Sequence, residues 1–145
     1  MDLDPLVLGL AGRRRVVVAG GPKAGKTFTA AALGLRLGVP VRGTDELVHR
    51  GLDWSAVSEE AAEWIATPGE WVVEGVATVR ALRKWVQAGA PLREGVAVVW
   101  LPSAVVGRTE RQEAMARGAE TVWREVFPEL VALGVTVIQR TAASR

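Results

Sequence analysis

The sequence predicts an α/β domain: a parallel β-sheet with helices on both faces. Three observations carry this. Short β-branched apolar runs alternate with helix-prone stretches along the chain, the pattern of β–α–β units. The first run, Arg15-Val16-Val17-Val18-Ala19, is continuously apolar, as suits a central strand buried on both sides. It leads directly into Gly20-Gly21-Pro22-Lys23-Ala24-Gly25-Lys26-Thr27, which fits G-x-x-x-x-G-K-[ST], the phosphate-binding P-loop.

The elements follow in order. Residues 2–12 are expected to form a short arm or helix. Strand one runs from Arg15 to Gly20. A helix follows over Phe28–Leu37, with Gly38 suited to its C-cap. A short second strand lies around Val39-Pro40-Val41-Arg42 and ends at Gly43-Thr44-Asp45. Ser55 or Ser58 is expected to cap a helix through Trp64 and Ile65, which Thr67-Pro68-Gly69 stops. Strand three is Glu70–Glu74. Val79, Leu82 and Val86 then recur at helical spacing up to Gly89. Strand four, Val96–Leu101, is the most apolar segment. Thr109 and Gln112 form a capping-box pattern that opens an arginine-studded helix to Pro128. A further helical turn, Glu129–Leu133, precedes strand five at Val135–Ile138.

Composition narrows the class. With 145 residues, 49% of them hydrophobic, the chain is expected to fold as a single domain over residues 1–145. No apolar stretch approaches the roughly 20 residues of a membrane span. The N-terminus lacks the basic-then-apolar order of a signal peptide, so a cytoplasmic protein without a membrane partner is expected. There is no cysteine, which excludes disulfides and thiolate metal sites. A net charge of +2 permits nucleic acid as a partner without arguing for it. Arginine outnumbers lysine and asparagine is absent, which fits a thermostable protein and a GC-rich genome equally.

The P-loop octet carries definite chemistry. Its glycines let successive N–H groups point into one cavity, and the following helix adds its positive end. Gly20, Gly21, Pro22, Lys23, Ala24, Gly25, Lys26, Thr27 and Phe28 are therefore expected to cradle the phosphates of ATP or another nucleoside triphosphate. Lys26 would reach the β- and γ-phosphates, and Thr27 would ligate magnesium. Two of the three lysines, Lys23 and Lys26, lie in this loop.

In open α/β sheets the ligand sits beyond the carboxyl ends of the strands. Strand two delivers Asp45 there, and strand three delivers Glu74. Glu74 closes an apolar run, as a Walker-B-type acid does, and could hold the metal or act as a base. Asp45 could take a proton from an attacking hydroxyl and contribute to the metal, or simply cap the helix beginning at Glu46. Arg108, Arg111 and Arg117 follow strand four, where an arginine can stabilise a transferring phosphoryl group, and Arg111 is the first choice. Arg80 and Arg83, with Arg42 near Asp45, could bind an acidic or phosphorylated acceptor; a solvated helix face is the competing reading. His49 is an ordinary surface or packed histidine. The six tryptophans are mostly core, and Trp54 is a candidate to stack on an acceptor.

Together, Gly20–Thr27, Asp45, Val72-Val73-Glu74-Gly75 and the arginines after strand four resemble the small P-loop nucleoside and nucleotide kinases. The Val-Glu-Gly segment is similar to that of uridine-kinase-type enzymes. The Lys26-to-Asp45 spacing is similar to that of phage polynucleotide kinases, where the corresponding Asp activates a 5′-hydroxyl. Small phage-encoded P-loop proteins look alike too. The resemblance implies a three-layer P-loop NTPase fold with strand order 2-3-1-4-5. It implies ATP and magnesium as cofactors, and phosphoryl transfer to a nucleoside, nucleotide or nucleic-acid 5′-hydroxyl; a nucleotide-dependent switch or accessory ATPase is the alternative. It also places Arg108 and Arg111 in a lid and Thr141 beside the adenine. No Asp-x-Asp pair follows strand two and the lid is short, which leaves the acceptor open.

Overall fold

The computed structural model describes residues 3–102, 104 and 106–140. The chain forms α1 (Asp4–Gly9), β1 (Arg15–Gly20), α2 (Lys26–Leu37), β2 (Val41–Gly43), α3 (Asp45–His49) and α4 (Trp54–Ile65). It continues with β3 (Trp71–Glu74), α5 (Thr78–Gln87), a 3-10 turn at Arg93–Gly95, β4 (Val96–Leu101), α6 (Glu110–Ala132) and β5 (Thr136–Gln139). The strands pair in parallel in the order β2-β3-β1-β4-β5, as the family resemblance implies.

The two-residue period of the strands sorts the core into two halves. Val17 and Ala19 of β1, Val73 of β3, and Val98 and Trp100 of β4 pack with Ile65, Leu82 and Trp123 from α4, α5 and α6. Val16, Val18, Val72, Val99 and Leu101 point the other way, onto Leu6 of α1 and Leu33 of α2. The domain is therefore three layers, with helices on both faces. Burial from both sides is why the central strands read as unbroken apolar runs. Each valine so buried contributes about 1.5–3 kcal/mol, and Val16 to Val18 are wholly enclosed.

Four of the tryptophans tie elements together within this frame. Trp100 and Trp123 stack at 4.7 Å, with ring planes 4° apart. The Trp123 indole donates to Gln139 Oε1 at 3.3 Å, which links α6 to the edge strand β5. Trp71 and Trp85 each donate to a backbone carbonyl, of Thr67 and Pro91. Buried indoles gain their full packing value only when the N–H is satisfied in this way.

Two local expectations change. Neither Ser55 nor Ser58 caps α4: the cap is Asp53, whose carboxylate accepts from the Ala56 N–H at 2.8 Å. Ser58 instead donates to the Ser55 carbonyl from within the helix. Pro128 does not end α6, which runs through it to Ala132. Val126 and Leu130 on either side of the proline are both buried in the same core half, so packing offsets the lost backbone bond. The capping box at Thr109 and Gln112 forms with both of its hydrogen bonds. The N-terminal arm is a helix, anchored by the buried Leu6.

Candidate active site

At the carboxyl end of β1 the chain leaves the sheet under close contact. A Cβ on Gly20 would stand 2.6 Å from the Leu101 carbonyl oxygen, so only glycine fits. A Cβ on Gly21 would meet Ala116 of α6 at 3.0 Å and Arg108 Nη2 at 3.1 Å. Lys23 and Gly25 take left-handed backbone angles, φ 59° and 88°, and Gly25 is the N-cap of α2. The loop therefore curls onto the helix end, with Pro22 and Ala24 buried and Lys23, Thr27 and Phe28 exposed. This is the backbone arrangement that directs unpaired amides at an anion.

Lys26 is buried, and its ammonium donates to the Gly21 carbonyl at 2.6 Å. Burial lowers its pKa from the ordinary lysine value; nearby Glu74 and Asp45 oppose that shift and Arg108 adds to it. Across the groove, β3 ends at the buried Glu74. Its partner in register, Gly43 of β2, makes room for the carboxylate: a Cβ there would lie 2.7 Å from Glu74 Oε2. The Thr27 hydroxyl donates to Glu74 Oε1 at 3.4 Å. Burial raises the Glu74 pKa above the ordinary carboxylate value; Lys26 opposes this, Asp45 reinforces it, and the Thr27 hydrogen bond opposes it.

Asp45 reaches this group through the backbone. The Thr44 N–H donates to the Glu74 carbonyl at 2.9 Å, which hangs the start of α3 from the end of β3. Asp45 is the first residue of α3 rather than its cap, and its charge is felt at both Lys26 and Glu74. Thr27 and Glu74 form a pair of hard oxygen donors of the kind that suits magnesium. Among the described residues, no three His, Cys, Asp or Glu side chains cluster to hold a metal by themselves.

The segment before α6 lies on the loop. Arg108 Nε donates to the Pro22 carbonyl at 2.7 Å, and Lys23 Nζ donates to the Gly107 carbonyl at 3.2 Å. Arg108 Nη2 is buried and has no hydrogen-bond partner among the described residues. One turn further on, Arg111 lines a cleft of ≈ 300 Å³ with Arg80, Trp54, Val76 and Met115.

The structure thus brings Lys26, Thr27, Asp45, Glu74 and Arg108 together, and sets Arg80 and Arg111 with each other in the cleft. It does not bring Arg42 or Arg83 to the cleft. Arg42 pairs with Glu46 at 2.6 Å and lies 3.7 Å over the Trp64 ring. Arg83 turns to Glu125 on α6 at 3.2 Å, and of the two arginines only Arg80 lines the cleft. Arg117 and His49 are exposed. Thr141 lies outside the described residues. Val76 and Met115 escaped the sequence reading because apolar residues near a strand end and inside a helix look like ordinary core. The one available signal was Met115 standing at i+4 from Arg111.

No family profile and no curated protein matches the sequence. Solved structures do match by shape. Shikimate kinase from Acinetobacter baumannii, in complex with shikimate, aligns with a TM-score of 0.56 at 14% identity, covering 94% of this chain and 88% of that one. Shikimate kinase from Aquifex aeolicus gives 0.55 at 11% identity, covering 90% and 88%. A gluconokinase from Sinorhizobium meliloti gives 0.52 at 18% identity, covering 90% and 83%. The chain has the P-loop kinase fold.

Proposed function

We propose that this protein is a kinase that transfers the γ-phosphoryl group of ATP, or another nucleoside triphosphate, to the hydroxyl of an acceptor. The observation that carries this is the meeting of Lys26, Thr27 and Glu74 below a curled P-loop, with Arg108 buried above it and one of its donors unpaired. An unpaired buried guanidinium nitrogen is costly unless a ligand answers it, and a phosphate oxygen does so with a charge-assisted bond. The donor set fits a polyphosphate.

The roles follow from the placement. The loop amides, Lys26 and Arg108 hold the phosphates and spread the charge that develops on the equatorial oxygens. Lys23 and Phe28 flank the loop on its outer side. Thr27 and Glu74, with Asp45 near them, would hold magnesium, which would neutralise charge on the phosphates. Asp45 takes the proton of the acceptor hydroxyl as that oxygen bonds to the γ-phosphorus. The bond from phosphorus to the β–γ bridging oxygen breaks, and its electron pair leaves with the diphosphate. The alignments to shikimate kinase and gluconokinase support an acceptor that is a small polyhydroxylated acid of the kind those enzymes' names indicate.

The test is transfer of label from γ-labelled ATP, with magnesium, to a panel of hydroxy acids, nucleosides, nucleotides and 5′-hydroxyl oligonucleotides. Label on an acceptor, lost in Lys26→Ala, supports the kinase. Tight ATP binding with no transfer to any acceptor would instead indicate a nucleotide-binding switch. Full turnover by Lys26→Ala would overturn the assignment.

A further inference from the structure

The P-loop pattern fixes Gly20, Gly25, Lys26 and Thr27 and leaves residues 21–24 open. The motif therefore does not require Lys23, and the backbone disfavours it. Its φ of 59° is left-handed, a conformation that glycine adopts freely and a residue with a Cβ adopts at a cost. Three other non-glycine residues among those described have positive φ: Ala11, Ala90 and Leu92. Each is tied to a neighbouring turn through its backbone. The Ala11 N–H donates to Leu8, the Ala90 N–H donates to Trp85, and the Leu92 carbonyl accepts from Gly95 and Arg15. Their side chains carry no donor. That of Lys23 does, and it reaches a segment 84 residues further on: Nζ donates to the Gly107 carbonyl at 3.2 Å.

The Gly107 bond has a counterpart. Arg108, next in the chain, donates from Nε to the carbonyl of Pro22, the residue before Lys23, at 2.7 Å. Two consecutive residues of the loop thus clasp two consecutive residues of the segment before α6, with one donor from each side. Packing does little to hold that segment. Val106 is 49% exposed, Gly107 is exposed, and a Cβ on Gly107 would meet nothing within 4 Å. Arg108 is the exception, with only 8% of its side chain exposed. It stands between two anchors. On one side Thr109 closes the capping box of α6, and on the other Lys23 holds Gly107.

We propose that Lys23 is a positioning residue: it clasps Gly107 and so fixes the direction in which the Arg108 guanidinium meets the phosphates. This rests on the nucleotide-binding half of the reading above. The donor at stake is Arg108 Nη2, which lies beside Gly21. Without the clasp, Gly107 regains backbone freedom that must be given up again when nucleotide binds, and Arg108 loses part of its preorganisation. The lysine thus acts through the arginine. A direct contact from its ammonium to a phosphate is the competing role. The two roles differ in how substitutions at Lys23 and Arg108 combine.

The experiment is a double-mutant cycle on nucleotide binding, read with a fluorescent, non-hydrolysable ATP analogue, magnesium and no acceptor. Lys23→Asn removes the ammonium and supplies a residue that tolerates the left-handed backbone. It is expected to weaken binding about three- to tenfold, mainly through faster dissociation. Lys23→Gly should behave as Lys23→Asn does, which sets backbone fit aside as the cause. Lys23→Arg, which keeps a charged donor, should restore most of the affinity. In an Arg108→Ala background Lys23→Asn should change the affinity less than about twofold, because the group that it positions is gone. Equal weakening in both backgrounds would mean that Lys23 meets the phosphates itself, and overturns the proposal. Unchanged binding in Lys23→Asn overturns it too. Neither outcome bears on transfer. A cycle that comes out as expected in a chain that phosphorylates no acceptor would sink the kinase reading and keep the clasp as a means of holding nucleotide. A chain that binds no nucleotide overturns both.

Discussion

Arg108 and Pro22 are 86 residues apart in sequence, yet the arginine Nε donates to the proline carbonyl at 2.7 Å. One guanidinium nitrogen is thereby anchored, while Nη2 remains buried and unpaired beside Gly21. The anchor orients the free donor in advance, so little ordering is left to do when an anion arrives.

Arg108→Ala is therefore expected to weaken nucleotide binding ten- to a hundredfold, about 1.5–3 kcal/mol for a bond to a charged group. Arg108→Lys should recover little, because an ammonium cannot bond Pro22 and present a second fixed donor together. Titration with a fluorescent ATP analogue checks both. Unchanged affinity in Arg108→Ala would mean that Nη2 serves packing only.

Glu74 gives a prediction for stability against pH in metal-free buffer. Its folded pKa is raised above the ordinary 4.5, first by burial. A raised pKa contributes stability that is complete below about 4.5 and is lost as pH rises through the folded value. Lys26, with its pKa lowered from 10.5, contributes stability above 10.5 that is lost as pH falls through its folded value. At neutral pH both charges thus cost the fold. Glu74→Gln, which mimics the protonated acid, should raise the melting temperature at pH 7 while abolishing transfer. The difference between the two proteins should shrink toward pH 4. A lower melting temperature for Glu74→Gln at pH 7 would contradict this.

Gly75 couples the two halves of the site. Its φ is 140°, and an added Cβ would run into the Thr44 side chain. Thr44 begins the turn that carries Asp45. Gly75→Ala is expected to lower turnover at least tenfold with little change in ATP affinity, and to cost about 1–3 kcal/mol of stability. Steady-state rates, nucleotide titration and urea unfolding separate these effects. A loss of ATP affinity equal to the loss of turnover would show that the P-loop side is disturbed instead.

Trp123 is the packing counterpart. It stacks on Trp100 and donates to Gln139, so Trp123→Ala should cost about 3–5 kcal/mol in urea unfolding. Amide exchange should speed up most in Thr136–Gln139, the edge strand that it tethers. Uniform exchange across the sheet would instead mark a purely global loss.

The sequence announced the sheet and the nucleotide half of the site because both depend on local rules. Unbroken valine runs need burial on two faces, and the curl from Gly20 to Gly25 needs glycine at named places. Glu74 and Asp45 were legible as strand-end carboxylates, since the end of a parallel strand is where ligands gather. The acceptor side was not legible in this way. Whether Arg80 or Arg83 meets the cleft depends on rotation about α5 and on Glu125 from α6, 42 residues on from Arg83. Arg42 was drawn off by its own neighbour, Glu46, and by the Trp64 ring. The cap at Asp53 was missed because Ser55 and Ser58 offered equally plausible oxygens nearby. Such choices are settled by which partner lies within reach in three dimensions.

Trp54 also gives the protein a built-in optical reporter. It is half exposed, while Trp64, Trp71, Trp85, Trp100 and Trp123 are each less than one-tenth exposed. Collisional quenchers in solution will therefore extinguish essentially one emitter in six. That emitter stands beside two guanidinium groups, so iodide will be concentrated at it and caesium repelled, and the ratio of the two quenching constants should exceed one at low salt. Any molecule that fills the cleft will shield the indole and bring that ratio down, so occupancy can be followed in the unlabelled protein.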